Sequence, residues 1–306
     1  MKELKRLIDY GKIYLVAPSF GCTTEPYKTR LDVAIKNFSE LGYQIIEGPN
    51  IRLNKGVMSS NTPKLRAKEF MDAYMSDADV IISVGGGELM NEILPFINFE
   101  KIKKLPSKTF MGFSDNTNLT YTLTTISEIP TIYGPNFPSF AFLPFSDSTL
   151  DALNLLKGTT NVTKGYPYWE RYKEKNIDPL CPSNKSEVKI IKTYPKLNEV
   201  SIEGRMLGGN LDILSNLVGT KFDKTKEYIE KYKDDGFIWF LEACDLNPLG
   251  IRRAIFNLKE AGWFKYAKGF LIGRPLCYKE KIGNVNHYNA PYFTSAYSGM
   301  MFNSYC

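Results

Sequence analysis

Six short apolar runs constrain this chain most: Ile13–Ala17, Gln44–Glu47, Val80–Val84, Thr109–Gly112, Phe237–Leu241 and Gly269–Ile272. Runs that stay apolar instead of alternating belong to strands covered on both faces, which is the parallel-sheet pattern. The stretches between them have helical spacing. Lys28 to Leu41 places Leu31, Ala34, Ile35, Phe38 and Leu41 on one face, and Gly42 follows as a natural stop. Pro63 to Tyr74 reads as a second helix with proline in its first turn. Strand–helix alternation to about residue 125 predicts an α/β domain. At ~100–200 residues per domain, 306 residues suggest two domains or one large one. A Pro- and aromatic-rich stretch at 133–144 and polar loops at 158–200 mark a crossover. The expected organisation is an N-terminal parallel-sheet domain at 1–160, a connecting segment at 161–200 and a smaller C-terminal α/β domain at 201–306.

Composition removes several function classes. Hydrophobic residues at 43% and charged residues at 24% match a soluble globular chain and disfavour disordered, collagen-like or membrane proteins. The first apolar run, Ile13 to Pro18, is too short for a signal peptide or a membrane span. The net charge of +6 is carried mainly by lysine, and the basic stretch Lys221 to Lys233 is mixed with Asp and Glu, as on a solvated helix face. That argues against a nucleic-acid partner. The cysteines, Cys22, Cys181, Cys244, Cys277 and Cys306, show no CxxC spacing and are odd in number. They point to neither a zinc site nor a disulfide framework, and they fit a reducing cytoplasm. No metal or cofactor is expected. The chain has one histidine, His287, and from Ile282 to Cys306 it has no Asp, Glu, Lys or Arg.

Four segments could carry chemistry. In TFMGFSDNTNLTYTL, a buried strand runs into Gly112, Phe113, Ser114 and Asp115 and then into a helical stretch. This is the form of a nucleophile elbow, where a tight strand-to-helix turn exposes a serine hydroxyl near unpaired helix N–H groups. The pattern is GxSxN instead of GxSxG, and the alternative is that Ser114 or Asp115 caps the helix. In SVGGGELM, Gly85, Gly86 and Gly87 follow a strand. Glycines there let backbone N–H groups approach a phosphate or an oxyanion, or simply make a tight turn. Neither the dinucleotide fingerprint nor the P-loop pattern is met. In FIWFLEACD, Glu242 ends an apolar strand, either as an orienting acid at the rim of a sheet or as the partner of Arg252 or Arg253. In GRMLGGNLDIL, Gly208 and Gly209 read as a turn before a helix.

Together the segments KIYLVAPS, SVGGGELMNEILPFI, MGFSDNTNLTYTL, IYGPNFPSF, MLGGNLDIL, FIWFLEACD and KGFLIGRPLCY span residues 12 to 278. In this order they resemble the LD-carboxypeptidase family of serine peptidases, with GGGELM and GFSDNT nearest to the branch of the microcin C immunity peptidases. The resemblance implies an N-terminal domain bearing the nucleophile and a C-terminal domain bearing the acid and the histidine. It implies Ser114 as nucleophile, Glu242 as the triad acid, and Gly85 and Gly86 with the N–H of Asp115 as the oxyanion hole. It also implies no metal, a homodimer, and a small peptide or peptidyl-nucleotide substrate.

The chain departs from the family pattern after GRPLCY. The family's histidine follows in a Gly-His segment on a later strand, whereas His287 stands in NVNHYNAPY. Three expectations follow. The first is a serine carboxypeptidase that cleaves the L,D amide of murein tetrapeptides or a peptidyl- or aminoacyl-nucleotide amide, with His287 as candidate base. The second is an altered member, lacking the family's last strands, that is weakly active or inactive. The third is a non-enzymatic module that holds a nucleotide on its glycine turns.

Overall fold

The computed structural model describes residues 2–170, 178–276, 281–283, 285–286 and 300–303. The chain divides into two compact units, Met1–Glu187 and Val188–Cys306.

The first unit is built on five parallel strands: β1 (Lys12–Val16), β2 (Gln44–Glu47), β3 (Val80–Ser83), β4 (Thr109–Gly112) and β5 (Ile132–Tyr133). Their spatial order is β2-β1-β3-β4-β5, every neighbouring pair parallel. The expected continuous burial is present, since all of Val80–Ser83 and all of Thr109–Gly112 are buried. Helix α1 (Tyr27–Glu40) follows β1 and buries Leu31, Ala34 and Phe38, as its spacing predicts. Phe38 meets Phe137 at 5.0 Å and Phe140 at 5.3 Å, in one aromatic cluster with Ile13, Leu15, Val80, Ile82 and Met111 of the sheet. Helix α2 (Pro63–Met75) brings Phe70 edge-on to Phe110 at 5.5 Å. Helices α3 (Phe99–Lys104), α4 (Thr117–Ser127) and α5 (Asp147–Lys157) complete the unit. Chain progression reverses direction between β1 and β3, so the loops at the carboxyl ends of these strands border a topological switch point, where ligand sites of open α/β sheets collect.

The second unit holds β6 (Lys192–Tyr194), β7 (Arg205–Asn210), β8 (Phe237–Glu242), β9 (Ala267–Ile272) and β10 (Met300–Asn303) in the order β6-β10-β9-β8-β7. All neighbours are parallel except β6, which runs antiparallel to β10. Helices α6 (Leu211–Leu217), α7 (Thr225–Lys231) and α8 (Pro248–Glu260) belong to it. Its core centres on Trp239, stacked on Trp263 at 5.9 Å and edge-on to Phe264 at 5.1 Å.

Gly208 and Gly209 are not a turn. They lie inside β7, opposite Phe240 and Leu241. The glycine is needed for close approach: a Cβ on Gly208, at φ +155°, would lie 1.8 Å from the Phe240 carbonyl oxygen. Backbone cannot yield as a side chain can. Gly208→Ala is therefore expected to destabilise the protein by about 3 kcal/mol or more, read as a lowered urea midpoint. A loss below about 1 kcal/mol would contradict the strand spacing.

Candidate active site

The site of the first unit is made by loops at the carboxyl ends of β1, β3 and β4. After β4, Phe113 is extended and Ser114 turns into the left-handed region at φ +64°, followed by a 3₁₀ turn, Ser114–Asn116, that leads into α4. A non-glycine residue in that region is strained, and the surroundings hold it there. The Ser114 N–H donates to Tyr133 Oη at 2.8 Å, and Thr117 Oγ1 donates to the Ser114 carbonyl at 2.8 Å. The buried Asn116 side chain donates to the carbonyls of Phe113 (2.9 Å) and Gly85 (3.2 Å), tying this turn to the glycine loop. Neither Ser114 nor Asp115 caps the helix with its side chain, so the capping alternative does not hold.

The glycine loop lies against this turn. A Cβ on Gly86 would stand 3.4 Å from Ser114 Cβ and 3.5 Å from the Asp115 nitrogen. Loop β1 holds the glycines from the other side: Phe20 N–H donates to the Gly86 carbonyl (3.1 Å) and Ser19 Oγ to the Gly87 carbonyl (2.8 Å). Gly87 lies at φ +142°, which L side chains rarely adopt, and a Cβ there would lie 2.4 Å from Ser19 Oγ, so a substitution is strained. The Gly85 N–H is directed at Ser83 Oγ at 3.3 Å, and the Gly87 N–H at Asp115 Oδ2 at 2.9 Å. Among the described residues, the N–H groups of Gly86 and Asp115 have no acceptor. Two free, adjacent N–H groups beside a serine hydroxyl can stabilise negative charge developing on a bound carbonyl oxygen.

Helix α2 supports these loops through two buried charged residues one turn apart. Arg66, wholly buried, donates to the carbonyls of Pro18 (2.9 Å), Asn61 (2.9 Å) and Leu89 (3.1 Å) and pairs with Glu92 at 2.9 Å. Glu69, 1% exposed, accepts from the N–H groups of Ala17 (2.8 Å) and Asn50 (2.7 Å). Burial outweighs these bonds and pushes its carboxyl up to about 7. A carboxyl whose folded pKa lies above the unfolded value of 4.5 gives stability that is complete below 4.5 and is lost as pH rises through about 7. The stability of the protein relative to Glu69→Gln is expected to fall by about 3 kcal/mol between pH 4.5 and 7.5, followed as urea midpoints across that range. A flat difference would mean that the N–H bonds keep the carboxylate ionised throughout. Sequence periodicity puts residues 66 and 69 on the inner face of a helix, but it treats buried charge there as an error and so misses the role of both.

Cys22 borders the same loops, but burial pushes its thiol up to about 12, so it stays protonated and a poor nucleophile at neutral pH. No group of three or more His, Cys, Asp or Glu among the described residues forms a metal site. No helix among them is long and apolar enough to cross a membrane.

In the second unit, Glu242 is half-buried at the carboxyl end of β8, in register with Asn210. Gly273 gives it room, since a Cβ there would meet Glu242 Cβ at 2.9 Å. Asn210 Oδ1 caps α6, accepting from the N–H of Asp212 (2.8 Å) and Ile213 (3.3 Å). The Asp212 carboxylate accepts from the N–H groups of Cys244, Asp245 and Leu246 at 2.9, 3.0 and 2.9 Å, which shapes the loop that leaves Glu242. Neither residue was singled out by its sequence context, although both stand in GGNLD. The structure thus brings Ser114, Gly85, Gly86 and Asp115 together in one unit and sets Glu242 at a strand end of the other. His287 lies outside the described residues.

A serine on a strained strand-to-helix turn, next to paired free N–H groups, is a hydrolase arrangement. Residues 13–134 match the model of the LD-carboxypeptidase N-terminal domain, and residues 203–296 that of its C-terminal domain. The chain belongs to the LD-carboxypeptidase family. It is 29% identical over 257 residues to the microcin C7 self-immunity protein MccF of Escherichia coli, covering 79% of this chain and 72% of that protein. It is 24% identical over 269 residues to a probable murein peptide carboxypeptidase of Bacillus subtilis, covering 88% and 73%. Among solved structures, MccF in complex with glutamyl sulfamoyl guanosine superposes with a TM-score of 0.80 at 20% identity, over 98% of this chain and 89% of that one. Muramoyltetrapeptide carboxypeptidase from Oxalobacter formigenes gives 0.66 at 21%, over 96% and 87%. The α/β fold expected from the apolar runs is shared with these solved structures.

Proposed function

We propose that this chain is a serine carboxypeptidase with Ser114 as nucleophile, Glu242 as orienting acid and His287, its one histidine, as base. Gly85 and Gly86 with Asp115 form the oxyanion pocket, its donors the N–H groups of Gly86 and Asp115. The observation that carries this reading is Ser114 at φ +64° next to those two N–H groups, which have no acceptor among the described residues. In the reaction, the histidine takes the Ser114 Oγ proton as Oγ bonds to the scissile carbonyl carbon, and the carbonyl oxygen gains the negative charge that the N–H groups receive. The protonated histidine then gives its proton to the leaving amine as the C–N bond breaks. Water, deprotonated by the same histidine, releases the acyl group from Ser114.

In this reading a nucleophile domain at 1–160 is joined through 161–200 to an acid- and base-bearing domain at 201–306, in a cytoplasmic homodimer. The substrate is the L,D amide of a murein tetrapeptide or a peptidyl- or aminoacyl-nucleotide amide. The family membership supports the first, and the similarity to MccF, solved with aspartyl sulfamoyl adenosine, supports the second. The test is to incubate the purified chain with a murein tetrapeptide and with an aminoacyl-nucleotide amide, and to follow release of D-alanine or of the free amino acid. Turnover of one of them is expected. No turnover of either overturns the proposal.

A further inference from the structure

We infer that the Asp115 carboxylate is a positioning residue that bridges the serine turn and the glycine loop; this rests on Ser114 being the nucleophile. Asp115 Oδ2 accepts from two groups that belong to different strands' loops: the Gly87 N–H at 2.9 Å and Ser114 Oγ at 3.2 Å. Gly86 lies between them, with its Cβ direction 3.0 Å from the same Oδ2. One oxygen therefore sets the rotamer of Ser114, draws the loop after β3 against the turn after β4, and fixes the direction of the Gly86 N–H relative to the Asp115 N–H. A carboxylate next to a developing oxyanion opposes it by like-charge repulsion. Its presence there calls for a compensating role, and helix capping is not that role, because the side chain caps neither the 3₁₀ turn nor α4. Oδ2 accepts both hydrogen bonds, and the bridge holds nucleophile and donors in one geometry before substrate arrives. Misplacement of reacting groups by ~1 Å costs about 10²-fold in rate.

The bridge needs an acceptor oxygen at this point, not a charge, so Asn and Ala substitutions separate the two. The readouts are the rate at which a small alkyl fluorophosphonate labels Ser114, followed by intact mass, and kcat and KM on the substrate turned over. Asp115→Ala is expected to lower labelling and kcat by about 10²-fold with KM nearly unchanged, while Asp115→Asn keeps both within about tenfold of the unaltered protein. Equal rates in all three proteins, a loss confined to KM, or an Asn variant as impaired as the Ala variant each overturns the bridge. Melting curves establish that each variant is folded. If the Ala variant does not fold, the isosteric Asn variant decides, and a loss in it beyond about 10²-fold overturns the bridge. Absence of a Ser114 adduct in the unaltered protein overturns the nucleophile reading and the bridge with it, whereas an adduct formed at equal rates throughout overturns the bridge alone.

Discussion

Ser114→Ala is expected to lower kcat/KM by roughly 10⁴–10⁶-fold while leaving the fold intact. Among the described residues the side chain removed makes one hydrogen bond, to Asp115 Oδ2 at 3.2 Å, and the backbone of the turn is held by others. Tyr133 Oη receives the Ser114 N–H and Thr117 Oγ1 binds its carbonyl, both at 2.8 Å, so alanine is kept in the same left-handed conformation. What disappears is the oxygen that bonds to the carbonyl carbon in the proposed mechanism. The free N–H groups of Gly86 and Asp115 persist, so a residual rate of roughly 10³–10⁴ over the uncatalysed reaction is expected. Steady-state kinetics with either amide substrate, beside a melting curve, makes the comparison. Equal rates for the two proteins would remove Ser114 from the mechanism.

Gly86→Val carries the second large effect. The glycine has an ordinary negative φ, so a side chain is tolerated by the backbone and the consequence is one of space. Its Cβ would stand 3.0 Å from Asp115 Oδ2, 3.4 Å from Ser114 Cβ and 3.5 Å from the Asp115 nitrogen, which in the proposed mechanism is the volume a substrate carbonyl oxygen enters. The Phe20 N–H, bonded to the Gly86 carbonyl at 3.1 Å, opposes movement of the loop away from the turn. Loss of one oxyanion donor costs about 10²–10³-fold in kcat, and a blocked pocket is expected to cost at least this much. A variant that is folded and within about fivefold of the unaltered kcat would place the oxyanion elsewhere.

The elements legible in the sequence are those whose cause is local. β2 is Gln44–Glu47 and β4 is Thr109–Gly112 as read, and α1 and α2 differ from their expected bounds by a residue. Continuous apolar runs and a 3.6-residue period leave few alternatives. Helix α4, TNLTYTLTTIS, is harder, because it looks polar and yet is buried on nearly every side. Its hydroxyls bond back to the preceding turn, with Thr122 reaching the Asn118 carbonyl at 2.5 Å, Thr124 that of Thr120 at 2.9 Å and Thr125 that of Tyr121 at 3.0 Å. A residue's polarity says nothing of such pairing. Strand β10 at Met300–Asn303 was invisible because four residues in an uncharged stretch have no period to count. Gly208 and Gly209 read as a turn in the sequence because glycine serves turns and close strand contacts alike, and only the pairing with Phe240 and Leu241 places them in a strand.

The site divides along the same line. That a serine sits between a buried strand and a helix, and that glycines end the preceding strand, is written in consecutive residues and needs no partner to be seen. By itself the sequence therefore determined strands β1 to β4, β8 and β9, helices α1 and α2, and the position of the sharp turn at Ser114. Only the tertiary structure decided that Gly85 and Gly87 spend their N–H groups on Ser83 and Asp115 while those of Gly86 and Asp115 find no acceptor among the described residues. It also decided that Arg66 and Glu69 pay for their burial by holding the loops around that pocket. Hydrogen-bond satisfaction is settled between groups tens of residues apart, so which donors remain open for a substrate depends on packing, whereas the apolar period that builds the sheet depends on neighbours in the chain.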